Sequence, residues 1–426
     1  MTRDEAINLI HSAWRPGEKS GHRRILYLLG LLGNPHKSLR FVHIAGTNGK
    51  GSTAAMLDSI LREAGYRTGR FVSPYLERFE ERITVDGVQI EERELVACLE
   101  QVQEASAQMQ KDGLTPPTEF ETVFAIALLH YVRQGCEIVV LEAGLGGARD
   151  ITNVIDTPEA AVLTSISIDH TRQLGETLGD IARDKAGIIK PGGRVVIYPV
   201  QEPEVATILM GRALEQGAQA VVPDMTELEV TYCSLDGNAF TYRGEAYELP
   251  LPGMHQATNA VTVLETVEVL RGRGFALPYE AVARGLDNTR FAGRFELVGE
   301  APLRMVDGGH NADGMQTLQR AVEQLLRPEI ERLIVIFGMM EDKKWEPCLA
   351  TAADMADILI LTKTPDPRSL DPALAASLST CADTRVEPQG KKALALARSL
   401  ATPRDGILVC GSIYLAGELR AELAGE

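Results

Sequence analysis

The stretch Gly46-Thr47-Asn48-Gly49-Lys50-Gly51-Ser52-Thr53 gathers glycines, hydroxyls and one lysine in a single run. Glycines let backbone N–H groups converge on phosphate oxygens, and a helix starting there adds partial positive charge. Lys50 is spaced to reach the β- and γ-phosphates of a nucleotide, and a hydroxyl of Ser52 or Thr53 to approach a metal. The match to G-x-x-x-x-G-K-[ST] is imperfect, because Ile44 stands at the first glycine position and Gly51 follows the lysine. Ser73, Glu142 and His170 each lie at or just past a strand-like run. Three such strand ends would bring a hydroxyl, a carboxylate and an imidazole to one edge of a parallel sheet, where α/β proteins place ligands. With ATP oxygens they would make an Mg²⁺ set, although imidazole is an uncommon partner for so hard a cation. Taken alone, His170 also fits a hydrogen-bonded structural histidine.

Positioning these groups requires alternating strands and helices. Phe41–Ala45 reads as a buried strand and Ser52–Ala64 as the helix after it; Arg70-Phe71-Val72, Ile138–Leu141, Ala161–Leu163 and Arg194–Ile197 read as further strands. Thr118–Val132 has helical periodicity, and Asp180 to Gly187 reads as a helix ending at the glycine. A second series holds Leu303–Val306, a helix from about Met315 to Leu326, Leu333–Phe337, Ile358–Leu361 and Ile407–Cys410. The expected fold class is therefore α/β: an N-terminal P-loop ATPase domain with a mainly parallel sheet, residues 1–296, and a smaller C-terminal Rossmann-like α/β domain, residues 297–426.

The 426 residues carry 43 Lys+Arg against 59 Asp+Glu, a net charge of −16, which argues against a general nucleic-acid binder. Residues 15 to 50 nevertheless hold seven basic side chains (Arg15, Lys19, Arg23, Arg24, Lys37, Arg40, Lys50) against Glu18 alone, a candidate surface for a polyanion. Residues 77 to 104, with nine acids against three bases, read as a solvated face. Six scattered cysteines without a C-x-x-C pair, no export-signal pattern at Met1–His11 and no long apolar stretch predict a protein of the cytoplasm that spans no membrane.

The loop 46–52 resembles the nucleotide loop of the Mur ligase superfamily, in its folylpolyglutamate synthase branch. The same branch is matched by His22–Ile25, Ser73–Phe79, Leu141–Gly147, Ser167–His170, Asp184–Ile188, Asp307–Asn311 and Gly411–Leu415, in order along nearly the whole chain. The resemblance implies an ATP-dependent ligase that adds L-glutamate to the γ-carboxylate of folate polyglutamates through an acyl phosphate. Some members also add the first glutamate to dihydropteroate, and that alternative stays open. It implies ATP contacts at Thr47, Asn48, Gly49, Lys50, Gly51, Ser52, Thr53, Asn259, Arg294 and Asp307, and Mg²⁺ on Ser73, Glu142 and His170. Lys185 would be carboxylated by CO₂. A default reading of Lys185 is a solvated helical charge. Folate would meet Arg15, Phe120, Glu121 and Asp150, although an aromatic such as Phe120 at helical spacing is also a core residue. His310 and Ser412 would lie near the incoming glutamate, brought by the second domain. Lys50, Lys185, His170, Asp307 and His310 are the catalytic candidates. A monovalent cation (K⁺) and a monomeric state are further implications.

Three departures from the family pattern stand out. Gly146-Gly147-Ala148-Arg149-Asp150 shifts an arginine by one place, Asp307-Gly308-Gly309-His310-Asn311-Ala312 loses a methyl and a proline, and Ala292-Gly293-Arg294 loses a proline. Two rivals remain: a cell-wall Mur ligase acting on another carboxylate, disfavoured because the loop begins at Gly46, and a nucleotide-gated regulator without catalysis. The second has no need of an amino-acid site.

Overall fold

The apolar runs pair into two separate, mainly parallel sheets in the computed structural model, which describes residues 1–13 and 21–425; Arg15 lies outside the described residues. The first sheet contains β1 (Phe41–Ala45), β2 (Thr68–Phe71), β3 (Ile83–Val85), β4 (Val88–Gln89), β5 (Ile138–Glu142), β6 (Ala160–Leu163), β7 (Arg194–Ile197) and β8 (Gln219–Val221), in the order β4-β3-β2-β5-β1-β6-β7-β8. Six strands run parallel; β3 and β4 turn back at one edge. Every residue of β1, β5 and β6 is buried, which explains why these strands read as continuous apolar runs without alternation. Phe41, Phe71, Val139 and Leu141 pack in one core with residues of the helices Arg3–His11, Arg23–Leu31, Glu92–Lys111 and Glu119–Arg133.

A three-stranded antiparallel meander follows, β9 (Leu228–Ser234), β10 (Gly237–Tyr242) and β11 (Glu245–Leu249). The second parallel sheet holds β12 (Glu296–Glu300), β13 (Leu303–Val306), β14 (Leu333–Phe337), β15 (Ile358–Leu361), β16 (Thr384–Val386) and β17 (Gly406–Cys410), in the order β12-β13-β17-β14-β15-β16 with β12 antiparallel. By packing, the chain divides into Met1–Ile166, Leu174–Asp224 and Asn259–Gly285 as one unit, and Ser167–Gln173, Met225–Thr258 and Leu286–Glu426 as the other. A single cut near residue 296 cannot describe this division. The meander and Ser167–Gln173 group with the later sheet, and Leu235 packs on its core.

The helix expected to end at Gly187 stops earlier. It spans Leu178–Lys185, capped by Thr177, and a 3₁₀ turn Ala186–Ile188 follows. Gly187 does not serve as a left-handed C-cap. A Cβ there would lie 2.3 Å from that of Ala148, so its smallness serves close backbone packing.

The described basic residues of the run 15–50 do not form one basic surface. Arg24 is buried against Glu121, Arg40 pairs with Glu159, and Lys50 turns into the glycine loop; Arg23 and Lys37 are exposed. Arg24 Nε donates to Glu121 Oε2 over 2.6 Å, and that carboxylate is fully buried. Arg24→Leu should destabilise the protein by about 3–5 kcal/mol, since it strands a buried charge. A lowered urea midpoint at unchanged slope is the expected readout.

Candidate functional site

Two clusters of polar side chains gather at carboxyl ends of strands, one in each unit. In the first, β1 delivers Gly46 into a loop that ends at Gly49, the left-handed residue (φ 86°) that precedes the helix Lys50–Glu63. Gly46 sits under Thr164, just beyond β6: a Cβ on Gly46 would fall 1.8 Å from Thr164 Oγ1. Thr47 and Asn48 donate their backbone N–H groups to the Ser165 carbonyl at 2.7 and 3.2 Å, which ties the loop to the adjacent chain. A Cβ on Gly49 would lie 2.8 Å from Asn259 Oδ1, so these two expected nucleotide residues are neighbours. Gly49→Ala combines that clash with a strained φ and should weaken ATP binding about tenfold with a small change in melting temperature, as read by nucleotide titration.

Two ammonium groups converge on one carbonyl here. Lys50 Nζ donates to Gly46 O and Thr47 O, each at 3.2 Å, and Lys185 Nζ donates to the same Gly46 O at 2.6 Å. Lys185 is buried, contrary to the default reading of a helical lysine as a solvated charge. Lys50 Nζ also stands 3.9 Å from the buried carboxylate of Glu142, the last residue of β5. β2 and β5 are adjacent and parallel, pairing Phe71 with Leu141, so Ser73 and Glu142 leave the sheet at the same edge. Hydroxyl and carboxylate are oxygen donors of the kind a hard cation takes. Ser52 and Thr53 are buried in the first helical turn, and Thr53 Oγ1 has no hydrogen-bond partner there, a polar group a ligand could satisfy. Among the described residues no group of three or more His, Cys, Asp or Glu side chains is arranged to hold a metal.

The expected folate residues are in place but occupied. Glu121 closes a capping box with Thr118 and holds Arg24. Asp150 accepts from Leu145 N at 2.6 Å and Thr152 N at 2.9 Å, and also from the Thr152 hydroxyl, capping its own 3₁₀ turn. Burial pushes its carboxyl up and these hydrogen bonds oppose the shift. Phe120, half-buried, packs beside Phe71 at the core's edge with the Arg82 guanidinium 5.6 Å from its ring centroid; a Cβ on Gly144 would touch it at 2.4 Å. The displaced Arg149 pairs with Asp184 at 2.6 Å.

In the second unit β13, β17 and β14 are neighbours, so the loops beginning at Asp307, Gly411 and Gly338 leave the same sheet edge. Asp307 accepts from Phe295 N at 2.8 Å and Gly309 N at 2.7 Å. Burial pushes its carboxyl up, opposed by Arg294, which stands close enough that a Cβ on Gly308 would lie 2.5 Å from Arg294 Nη1. A Cβ on Gly309 would come within 2.8 Å of Asp307 Oδ1, so the missing methyl leaves that carboxylate room. Ala312 opens the helix Ala312–Ala321 behind its Asn311 cap, the position at which a proline is also tolerated. Ser412, buried, caps the helix Ile413–Ala424 by accepting from Tyr414 N at 3.2 Å.

Asp169 is the hub of this cluster. Its Oδ1 accepts from His170 N at 2.7 Å and Lys343 Nζ at 2.6 Å, and its Oδ2 from Asn311 Nδ2 at 3.3 Å. His170 and His310 each place Nε2 3.7 Å from the same carboxylate. Burial alone would push the Asp169 carboxyl up, but Lys343 and the two imidazoles hold it well below the usual range. His310 Nδ1 bonds to the Gly308 carbonyl at 2.9 Å, so that nitrogen carries the hydrogen. Burial, with Lys343 beside it, pushes His310 down to about 4, leaving it neutral at pH 7 with an unprotonated Nε2. His170 has a left-handed backbone (φ 50°), and its Nε2 lies 3.3 Å from Lys343 Nζ. Lys343 is absent from the sequence reading. The available signal was its place just beyond β14, beside the two strands whose loops were read.

Residues 44–267 match the Mur ligase middle domain and residues 293–413 the Mur ligase glutamate ligase domain. The chain is 33% identical over 435 residues to folylpolyglutamate synthase of Lacticaseibacillus casei, covering 100% of this chain and 99% of that one. It is likewise 33% identical over 430 residues to dihydrofolate synthase/folylpolyglutamate synthase of Bacillus subtilis, covering 98% of each. Mycobacterium tuberculosis folylpolyglutamate synthase complexed with ADP and AMPPCP superimposes with a TM-score of 0.88 at 31% identity, covering 98% of this chain and 97% of that one. The chain spans half (50%) of a Haloferax volcanii relative whose name joins folylpolyglutamate synthase to dihydropteroate synthase.

Proposed function

Because the chain belongs to the folylpolyglutamate synthase/dihydrofolate synthase family of Mur ligases, we propose that it is an ATP-dependent ligase joining L-glutamate to the γ-carboxylate of folates. A folate carboxylate oxygen attacks the γ-phosphorus of ATP, the bond to ADP breaks, and an acyl phosphate forms. The glutamate amine then attacks the acyl carbon, phosphate departs, and the nitrogen loses a proton. Neither step needs a protein nucleophile; both need stabilisation of phosphoryl charge and positioning. The convergence of Lys50 and Lys185 on Gly46 O beside Glu142 is the observation that carries the reading. Lys50 neutralises the transferring phosphoryl group. Asn259 borders the nucleotide beside Gly49, and Arg294 and Asp307 are assigned to the nucleotide on family resemblance.

Ser73 and Glu142 are the residues of the first unit that fit Mg²⁺, which would supply further neutralisation of phosphate charge when bound. His170 is proposed as a metal residue on family resemblance. Lys185 is proposed as the carboxylated lysine: CO₂ adds to an unprotonated amine, and the product would relieve the crowding of two cations at one carbonyl. His310 and Ser412 are assigned to the incoming glutamate, the neutral His310 offering Nε2 as proton acceptor. For folate, Phe120 and Arg15 are the assigned contacts. Glu121 and Asp150 support that face through the bonds described above. Potassium and a monomeric state rest on resemblance alone. All six cysteines are free, in keeping with a reducing cytoplasm, and among the described residues no helix is long and apolar enough to cross a membrane.

Whether the first glutamate is also added is decided by substrate. ADP release with glutamate and tetrahydrofolate alone identifies a chain-extending enzyme; release with dihydropteroate as well identifies both activities. Release with neither would refute the proposal.

A further inference from the structure

We propose that Gln201 is a positioning residue for the nucleotide loop, a role that rests on the ATP-site reading above. The pairing of β6 with β7 ends at Leu163 and Ile197, with Tyr198 N donating to Leu163 O at 2.8 Å. Beyond that rung β7 no longer pairs with the backbone of Thr164–Ile166, although Thr164 N still donates to Ala45 O of β1 at 2.9 Å, and the segment must hold the loop. Gln201 takes the missing strand's place. Its Nε2 donates to Thr164 O at 2.9 Å and its Oε1 accepts from Ile166 N at 3.1 Å, so one side-chain amide grips the segment at both ends. The residue between them, Ser165, presents the carbonyl that receives Thr47 N and Asn48 N. Thr164 itself is fully buried and presses on Gly46, whose carbonyl both lysines share. A short chain of contacts therefore runs from Gln201 through Thr164–Ile166 to the loop that carries Lys50, all within the first unit. The hydrogen bonds of Gln201 go to Thr164 and Ile166, so it acts through the segment it grips.

The consequence is specific. Losing two hydrogen bonds of ordinary strength loosens the support of the loop, and the loss appears in nucleotide affinity. Gln201→Leu, which keeps the bulk, and Gln201→Ala, which does not, should both raise the dissociation constant for ATP about tenfold. The KM for glutamate and kcat at saturating ATP should stay near those of the unaltered protein, and the urea midpoint should fall only by the modest amount that two ordinary hydrogen bonds are worth. Calorimetric titration of each folded protein with ATP, steady-state kinetics and a urea denaturation curve together give the four readouts. Unchanged ATP affinity in both variants would overturn the proposal. So would an affinity loss accompanied by a comparable rise in the glutamate KM and a fall in kcat, because that pattern describes general loosening of the protein. Failure of the unaltered protein to bind ATP would overturn the nucleotide reading itself.

Discussion

Lys50→Ala is expected to lower kcat by about 10³-fold while leaving the fold intact. The magnitude follows from removing one preorganised charge aimed at a phosphoryl group in transit, worth about 4 kcal/mol. The fold should survive because Lys50 is the first residue of its helix, where alanine is at least as well accommodated, and among the described residues its polar contacts are the two loop-carbonyl bonds and the longer approach to Glu142. Lys185 cannot substitute. It reaches Gly46 O from its own helix, Leu178–Lys185, whereas Lys50 also donates to Thr47 O. Lys50→Arg should recover little, because a planar fork does not occupy the place of a compact ammonium. Steady-state ADP release with saturating substrates checks this; a Lys50→Ala protein within about tenfold of the unaltered rate would remove Lys50 from the chemistry.

The second large effect is Lys185→Ala, expected to cost at least about 10²-fold in kcat. A lysine buried 2.6 Å from the loop carbonyl has one of two tasks. As an ammonium it would simply brace Gly46, and its loss would show mainly as weaker ATP binding and lower stability. As a carbamate it contributes an anion, and its loss should be partly repaired by a small carboxylate added to the medium. Labelled bicarbonate should give a carbamate resonance in the unaltered protein that vanishes in Lys185→Ala. Full activity of that variant would end any catalytic role for the residue, and no rescue with no resonance would leave it the brace.

Much of this arrangement was legible in the chain because continuous apolar runs have one simple use. Phe41–Ala45, Leu333–Phe337 and Ile358–Leu361 emerge as strands with those bounds, since burial on both faces removes any ambiguity of period. The glycine loop was legible for a related reason: Gly46 and Gly49 sit where any side chain would meet Thr164 or Asn259. Charge partners were not legible. Nothing local marks Arg24 as the mate of Glu121, 97 positions away, or Lys343 as the mate of Asp169, 174 positions away. A helical lysine looks solvated until the fold turns it inward to the Gly46 carbonyl. Likewise the basic run from 15 to 50 looked like one surface because sequence adjacency hides which way each side chain turns.

The central claim is that ATP activates a folate carboxylate for attack by an amine, and oxygen transfer tests it most directly. A folate whose γ-carboxylate carries heavy oxygen is turned over with ATP, Mg²⁺ and glutamate, and the released phosphate is weighed by mass spectrometry. The account predicts one heavy oxygen in each phosphate and phosphate release that requires the folate. Unlabelled phosphate, or equal release without folate, would contradict it.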